Sequence, residues 1–340
     1  MSTKNNKEEY IVQMLLEGIR DAPELVEFFE QFLTNLKKCD NRVLMCDAIN
    51  SLFTEECFFT IKNCDMFKKI IKNIAPPKFI HDIEIPMDNL ELDYGNILGR
   101  GGFGAVFLGK LTRDNQRKTV AVKAIQNPLL DIMSEIFAMS KLSHPNILPI
   151  IGFNFEKRLI ITEYMENGNL HNVCFSLERP TTMQLFKYIH QVIKGLQHMH
   201  ENKFIHRDIS IRNIFINKDK TCKIGDLGLA VRVGETGQFK SLKKEVDCYH
   251  FAPEAYLKYT FSFATDIFSL GILILEVTHS PQTFNFSDEV ARNLQFRFIK
   301  PERCPDVLYN IVRCSLVPDP NQRPSLNDFN NLFMEYLLHA

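Results

Sequence analysis

The sequence predicts an α+β protein of two lobes, a strand-rich lobe followed by a helix-rich one, with a helical extension in front. Three observations predict it. Residues 8–75 carry apolar side chains at helical spacing and stop at Ala75-Pro76-Pro77. From Leu90 the texture changes to short β-branched or aromatic runs set between turn residues. After Leu170 helical periodicity dominates. Strands gathered first and helices second read as an α+β arrangement.

Taken in order, Ile11, Met14, Leu15 and Ile19 open the extension. Leu25, Phe28, Phe29, Phe32, Leu33 and Leu36 come next, then Val43, Leu44, Ile49, Leu52 and Phe53, then Met66, Phe67, Ile70, Ile71 and Ile74. Each group has the 3–4 residue recurrence of an amphipathic helix. Residues 1–77 are therefore expected to form a helical module, either a small bundle packed on the remainder of the chain or an interaction or autoinhibitory element that meets a partner. Leu90–Leu92 and Ile97–Leu98 read as strand on either side of turn residues. Val106-Phe107-Leu108 and Thr119-Val120-Ala121-Val122 read as strands. Residues 131–142 are helical, and Ile147–Ile151 and Arg158–Thr162 return to strand. The clearest helices are Leu185–His200, Ala264–Val277 and the last twenty residues.

Composition narrows the class. Hydrophobic residues make up 45% and charged residues 24% of 340, ordinary for a chain with a sizeable core. A net charge of −1 argues against a general nucleic-acid or membrane-surface binder. Nine cysteines include no Cys-x-x-Cys pair, and they read as reduced, mostly buried thiols. The first ten residues are polar, and the longest apolar run, Ile267–Leu275, is interrupted by Ser269 and Gly271. That run is far too short to span a bilayer. A cytoplasmic protein without a membrane span is expected.

The chemistry sits in a series of short motifs. In Gly99-Arg100-Gly101-Gly102-Phe103-Gly104-Ala105-Val106, glycines at the first, third and sixth places let backbone amides approach a phosphate. The pattern also marks dinucleotide folds, but there a helix comes directly after, whereas strands flank it here. Lys123 ends an apolar strand, where an ammonium makes sense if it meets phosphates. Twelve residues on, Glu135 lies on the next helix and can pair with it. In His206-Arg207-Asp208-Ile209-Ser210-Ile211-Arg212-Asn213, a carboxylate can accept the proton of an incoming hydroxyl and an amide oxygen can hold Mg²⁺. Asp226-Leu227-Gly228 adds a second metal-binding carboxylate, and Ala252-Pro253-Glu254 closes the segment.

These motifs, in this order, resemble the eukaryotic protein kinase family over residues 83–338. The resemblance implies the bilobal kinase fold, with a β-rich N-lobe and a helical C-lobe, and transfer of the ATP γ-phosphate to a protein hydroxyl. It implies that Lys123 grips the phosphates and pairs with Glu135, that Asp208 is the catalytic base, and that Asn213 and Asp226 bind Mg²⁺. Gly99, Gly101 and Gly104 would form the phosphate loop. Val106 and Ala121 would cover the adenine, with Leu98 at its border. Thr162 would be the gatekeeper, and backbone groups of Glu163 and Met165 would bond the adenine. Asp266 resembles the buried aspartate that anchors the catalytic loop, and Arg323 the arginine that pairs with Glu254. Arg207 would offer a forked donor to a phosphate on the activation segment, with Thr236 and Ser241 as candidate acceptors.

Finer detail points to the branch. Arg212, four places after Asp208, resembles the tyrosine-kinase pattern, and Ser210 stands where serine/threonine kinases generally place lysine. Thr162–Leu170 is similar to a tyrosine-kinase hinge. Asp247-Cys248-Tyr249-His250-Phe251 departs from both branches, lacking the Pro and Trp of one and the Thr of the other. Leu227 replaces the usual Phe after Asp226, and Phe268 stands where the family often has Trp. The expectation is a tyrosine-specific kinase of the non-receptor type that takes ATP, Mg²⁺ and a protein substrate. The alternatives are a tyrosine-kinase-like serine/threonine kinase, a pseudokinase scaffold and a helical adaptor.

Overall fold

The computed structural model describes residues 83–101, 104–125, 129–154, 156–234, 236–241, 250–279 and 300–339. The expected helical extension over residues 1–77 lies outside them, as do Asp247–Tyr249. Two compact units divide the chain. One runs to Phe137 and includes Ile150–Ile161, and the other comprises Ala138–Pro149 and everything from Thr162 onwards.

The first unit is built on a five-stranded sheet. Its strands are β1 (Leu90–Gly101), β2 (Gly104–Arg113), β3 (Gln116–Ile125), β4 (Ile150–Asn154) and β5 (Leu159–Glu163), in the order β1-β2-β3-β5-β4. The β2–β3 hairpin turns at Asp114 and Asn115, whose φ values are 51° and 59°. Both are left-handed, as the tight turn that matches strand twist requires, and Asp and Asn tolerate that region better than other side chains. Alternation along β3 then puts Val120 and Val122 in the core and leaves Ala121 and Lys123 half-buried. The core cluster joins these valines to Ile85, Leu90, Leu111, Leu159 and Ile161.

The two strand fragments expected over Leu90–Leu98 are one strand. Its register against β2 shifts between Asp93 and Ile97 and again between Ile97 and Gly99. Gly95-Asn96 are thus absorbed as a bulge rather than a turn, and Asp93 Oδ1 accepts a bond from the Gly95 N–H at 3.1 Å.

The second unit is helical. Among the described residues the helices are α1 (Leu129–Lys141, which begins in the first unit), α2 (Leu170–Cys174), α3 (Thr182–Glu201), α4 (Pro253–Lys258), α5 (Phe263–Thr278), α6 (Asp306–Ser315) and α7 (Leu326–His339). Helix α3 starts at a reciprocal cap, with Gln184 N–H on Thr181 Oγ1 at 3.2 Å and Thr181 N–H on Gln184 Oε1 at 2.8 Å. The Thr-x-x-Gln spelling of that cap is visible in the sequence. Helix α5 is buried at every position from Thr265 to Thr278, which accounts for its continuous apolar run. No described helix is long and apolar enough to cross a membrane.

Among the described residues, three short two-stranded pairs also belong to the unit. They join β6 (Phe204–Ile205) to β9 (Val231–Arg232), β7 (Ile214–Ile216) to β8 (Cys222–Ile224), and β10 (Gln238–Lys240) to β11 (Thr260–Ser262).

Candidate active site

In the strand-rich unit, Gly101 pairs with Gly104 where β1 meets β2. Gly104 has φ of 141°, and a Cβ there would lie 2.0 Å from the Ala124 carbonyl oxygen. The fold itself therefore demands glycine at that position. Gly99 differs, because a Cβ there would meet no described atom within 4 Å. Packing does not explain Gly99, whereas close approach of a phosphate to its backbone would.

Lys123 sits directly across from Val106, and Ala121 across from Leu108. Val106, Ala121 and Lys123 consequently share one face of the sheet. Leu98, on the bulged stretch of β1, is exposed. The Lys123 Nζ donates to Glu135 Oε1 on α1 at 2.7 Å, with 17% and 7% of the two side chains exposed. The pair expected from sequence is formed.

In the helical unit, Thr162 and Glu163 end β5, and Glu163 Oε2 accepts from Lys223 Nζ at 2.7 Å. Met165 is buried and its carbonyl takes the Gly168 N–H at 2.9 Å.

The loop between β6 and β7 is held from behind by Asp266. Its Oδ2 accepts from the His206 N–H at 2.8 Å and from His200 Nε2 at 2.9 Å, and its Oδ1 accepts from the Arg207 N–H at 2.9 Å. Asp266 is fully buried, as the family resemblance implied. His206 links onward, with its Nδ1 accepting the Asp208 N–H at 3.2 Å and its Nε2 meeting the Gly225 carbonyl at 3.1 Å. That pattern puts the ring proton on Nε2.

Asp208 carries a partner on each carboxylate oxygen. Asn213 Nδ2 donates to Oδ2 at 2.7 Å and to the Asp208 carbonyl at 2.8 Å, while His250 Nε2 meets Oδ1 at 2.7 Å. Burial pushes the Asp208 carboxyl up. The His250 hydrogen bond and charge, His206 and the Asn213 bond outweigh it, so its pKa is lowered and the group is a carboxylate at neutral pH.

Asn213 and Asp226 are tied together through the backbone, because the Gly225 N–H donates to the Asn213 carbonyl at 2.9 Å. Asp226 sits at φ 57°, ψ 65°, a left-handed conformation unusual for a residue with a side chain. Leu227 after it is buried, so the apolar contact expected of that position survives the change from Phe. These residues fit a magnesium ion. They offer an amide oxygen and a carboxylate, hard donors of the kind Mg²⁺ takes, and both amide hydrogens of Asn213 point at Asp208, which turns its oxygen outward. Among the described residues no cluster of three His, Cys, Asp or Glu could hold a metal alone.

The remaining expected residues have partners of their own. Arg323 donates to both oxygens of Glu254, at 2.6 and 2.9 Å, and also to the carbonyls of Ala264, Val317 and Pro318. Its guanidinium lies 5.0 Å from the Phe268 ring, so Phe268 supplies an aromatic face in the place of Trp. Arg212 is exposed and near His171, whose pKa is lowered by burial and then by the Arg212 charge. Arg207 is buried, with its guanidinium 4.7 Å from the Phe239 ring and 4.4 Å from the Phe261 ring and a bond to the Leu229 carbonyl at 3.2 Å. Burial brings it down to about 9, against the pull of Asp266 and Asp208. The forked donor expected to meet a phosphate thus packs against two aromatic rings. Of its candidate phosphoacceptors, Thr236 is exposed and Ser241 is buried.

Residues 92–333 match the sequence model of the family described as protein tyrosine and serine/threonine kinase. The chain belongs to that family. Among its relatives, this kinase is 28% identical over 274 residues to Ephrin type-A receptor 5 of Rattus norvegicus, covering 76% of this chain and 27% of that protein. It is likewise 28% identical over 285 residues to Tyrosine-protein kinase receptor svh-2 of Caenorhabditis elegans, covering 78% of this chain and 26% of that protein. The match therefore spans about a quarter of the length of these curated relatives.

Sequence reading of the kinase missed His250 as a neighbour of Asp208. The only signal was an ionisable residue two places before Ala252, in a stretch that departs from both branches. His200 was also missed, because its partner Asp266 lies 66 residues away and no local pattern links them.

Proposed function

We propose that this kinase transfers the γ-phosphate of ATP to the hydroxyl of a protein tyrosine. The observation that carries the chemistry is Asp208, a carboxylate fixed on both oxygens yet 23% exposed, next to an Asn213–Asp226 pair suited to magnesium. In this reading the acceptor hydroxyl gives its proton to Asp208 while its oxygen forms the new bond to phosphorus. The bond from the γ-phosphorus to the bridging oxygen breaks, and its electron pair leaves on ADP. Lys123, held by Glu135, offers charge to the α- and β-phosphates, and the backbone at Gly99, Gly101 and Gly104 lines the phosphate path. Magnesium held by Asn213 and Asp226 would neutralise phosphate charge.

Tyrosine as acceptor rests on Ser210 and Arg212. Ser210 is small and buried, so no lysine fills the space between a γ-phosphate and a short serine hydroxyl. A tyrosine ring carries its hydroxyl several ångströms further from its own backbone and suits the wider gap. Arg212 can offer charge to the γ-phosphate in lysine's stead. The name of the svh-2 relative, a tyrosine-protein kinase receptor, supports the same branch.

The test is incubation with ATP, Mg²⁺ and a mixed peptide library, followed by phosphoamino-acid analysis. Phosphotyrosine is expected. Phosphate on serine and threonine alone would move the chain to the tyrosine-kinase-like serine/threonine group, and no phosphate at all would make it a scaffold. We also take residues 83–338 as the kinase domain and residues 1–77 as a separate partner-binding or regulatory module. Limited proteolysis near Pro76-Pro77 is expected to release a soluble, active fragment starting close to residue 80. Aggregation of that fragment would make the two parts one folding unit.

A further inference from the structure

His250 comes from the stretch just before Ala252-Pro253-Glu254, 42 residues after Asp208. It is buried and its place is fixed from two sides. Its carbonyl accepts from Ser269 Oγ on α5 at 2.8 Å. Its ring stands edge-on to Phe251 at 5.3 Å, and Phe251 stands edge-on to Phe261 at 5.9 Å. Ser269 lies three residues after Asp266 on the same helix, so the two side chains emerge on one face. Asp266 holds the loop that carries Asp208, and Ser269 holds the residue that carries the imidazole. A single turn of a buried helix thus sets the spacing between acid and ring.

We propose that His250 is a positioning residue for phosphoryl transfer, holding Asp208 by Oδ1 so that the carboxylate presents a fixed lone pair to the acceptor hydroxyl. The proposal rests on the reading of Asp208 as the base. An ionised carboxylate has about four lone-pair sites. Asn213 takes one on Oδ2 and His250 one on Oδ1. Two donors on opposite oxygens prevent rotation about the bond to the carboxyl carbon, which a single donor would not. The remaining lone pairs then keep one direction, which is what a base must offer to a hydroxyl brought in on a large substrate.

The measurement is steady-state kinetics of the full chain with ATP, Mg²⁺ and a glutamate–tyrosine copolymer or a serine/threonine peptide pool. His250→Leu is expected to lower kcat about 10- to 100-fold, the range for a displaced catalytic group, with the KM for ATP unchanged. His250→Gln, whose Nε2 reaches as far as the imidazole Nε2, is expected to restore kcat to within about threefold, since the hydrogen bond is remade. Ser269→Ala, which loosens the anchor without touching the ring, is expected to lower kcat less, and to add nothing on the His250→Leu background.

Normal or faster turnover by His250→Leu overturns the proposal, faster turnover marking the ring as a competitor of the hydroxyl. A Gln variant as slow as Leu overturns it too, because the ring would then serve packing alone. Wild-type protein that phosphorylates neither substrate defeats the kinase reading instead. The contact itself is then read by the ¹⁵N resonance of His250 Nε2, expected to shift in Asp208→Ala, and an unmoved resonance rejects the contact whatever the activity.

Discussion

Asp266 accepts three hydrogen bonds, from two backbone N–H groups and the His200 ring, and is fully buried. Asp208, two residues beyond the first of those N–H groups, accepts from Asn213 and His250 and keeps part of its side chain open. The same side chain type serves opposite ends, one bracing the loop from a helix and one carried on it. Where both oxygens face protein donors and the group is fully buried, a carboxylate is a fastener. Where donors fix its orientation but one side stays open, it is a reagent in waiting. Residue type does not distinguish the two, and partner count with exposure does.

Substitutions can break that contrast. The largest effect is expected from Asp208→Asn, which removes the proton acceptor and is expected to lower peptide phosphorylation by about 10²–10⁴. Nucleotide binding, monitored by fluorescence titration, should stay near normal because Lys123 and Asp226 are untouched, as should the melting temperature. Near-normal turnover would erase the assigned difference between the aspartates.

Asp266→Asn should act the other way round. An amide offers one accepting oxygen where the carboxylate offers two, so at least one of the buried N–H groups loses its acceptor. The expected loss is about 1–3 kcal/mol of stability, read by calorimetry or thermal circular dichroism. An unchanged melting temperature would mean that the loop does not depend on this anchor. The smallest effect belongs to His200→Leu, which removes one of the three donors and keeps the other two. About 0.5–1.5 kcal/mol is expected, and a loss equal to that of Asp266→Asn would show that the ring is the main support.

The sequence made one side of this contrast easy to read. Asp208 and Asn213 stand five residues apart in a single motif, and Gly99–Gly104, Lys123 and Asp226 are equally compact in sequence. Lys123–Glu135 and Glu254–Arg323 formed as the family resemblance implied. What could not be read were contacts between segments without a shared local pattern. His250 reaches Asp208 across 42 residues, and Phe239 and Phe261 close on Arg207 from β10 and β11, which nothing near Arg207 announces. The bulge in β1 was hidden for another reason. Gly95-Asn96 spells a turn locally, and only pairing with β2 keeps the strand continuous there.

Helix α5 also sets an order of events. His206 and Arg207 wait for an aspartate 60 and 59 residues further along the chain, and Glu254 waits for an arginine 69 residues away. A nascent chain that has emerged as far as His250 already contains Lys123, Asp208, Asn213 and Asp226. It lacks the residues that fix the loop and the ring in place. Long-range closure of this kind is slow and comes late. During synthesis the protein therefore holds the complete vocabulary of its chemistry well before it can act, and a product cut short ahead of Phe263 would carry the motifs while its loop had no aspartate to rest on.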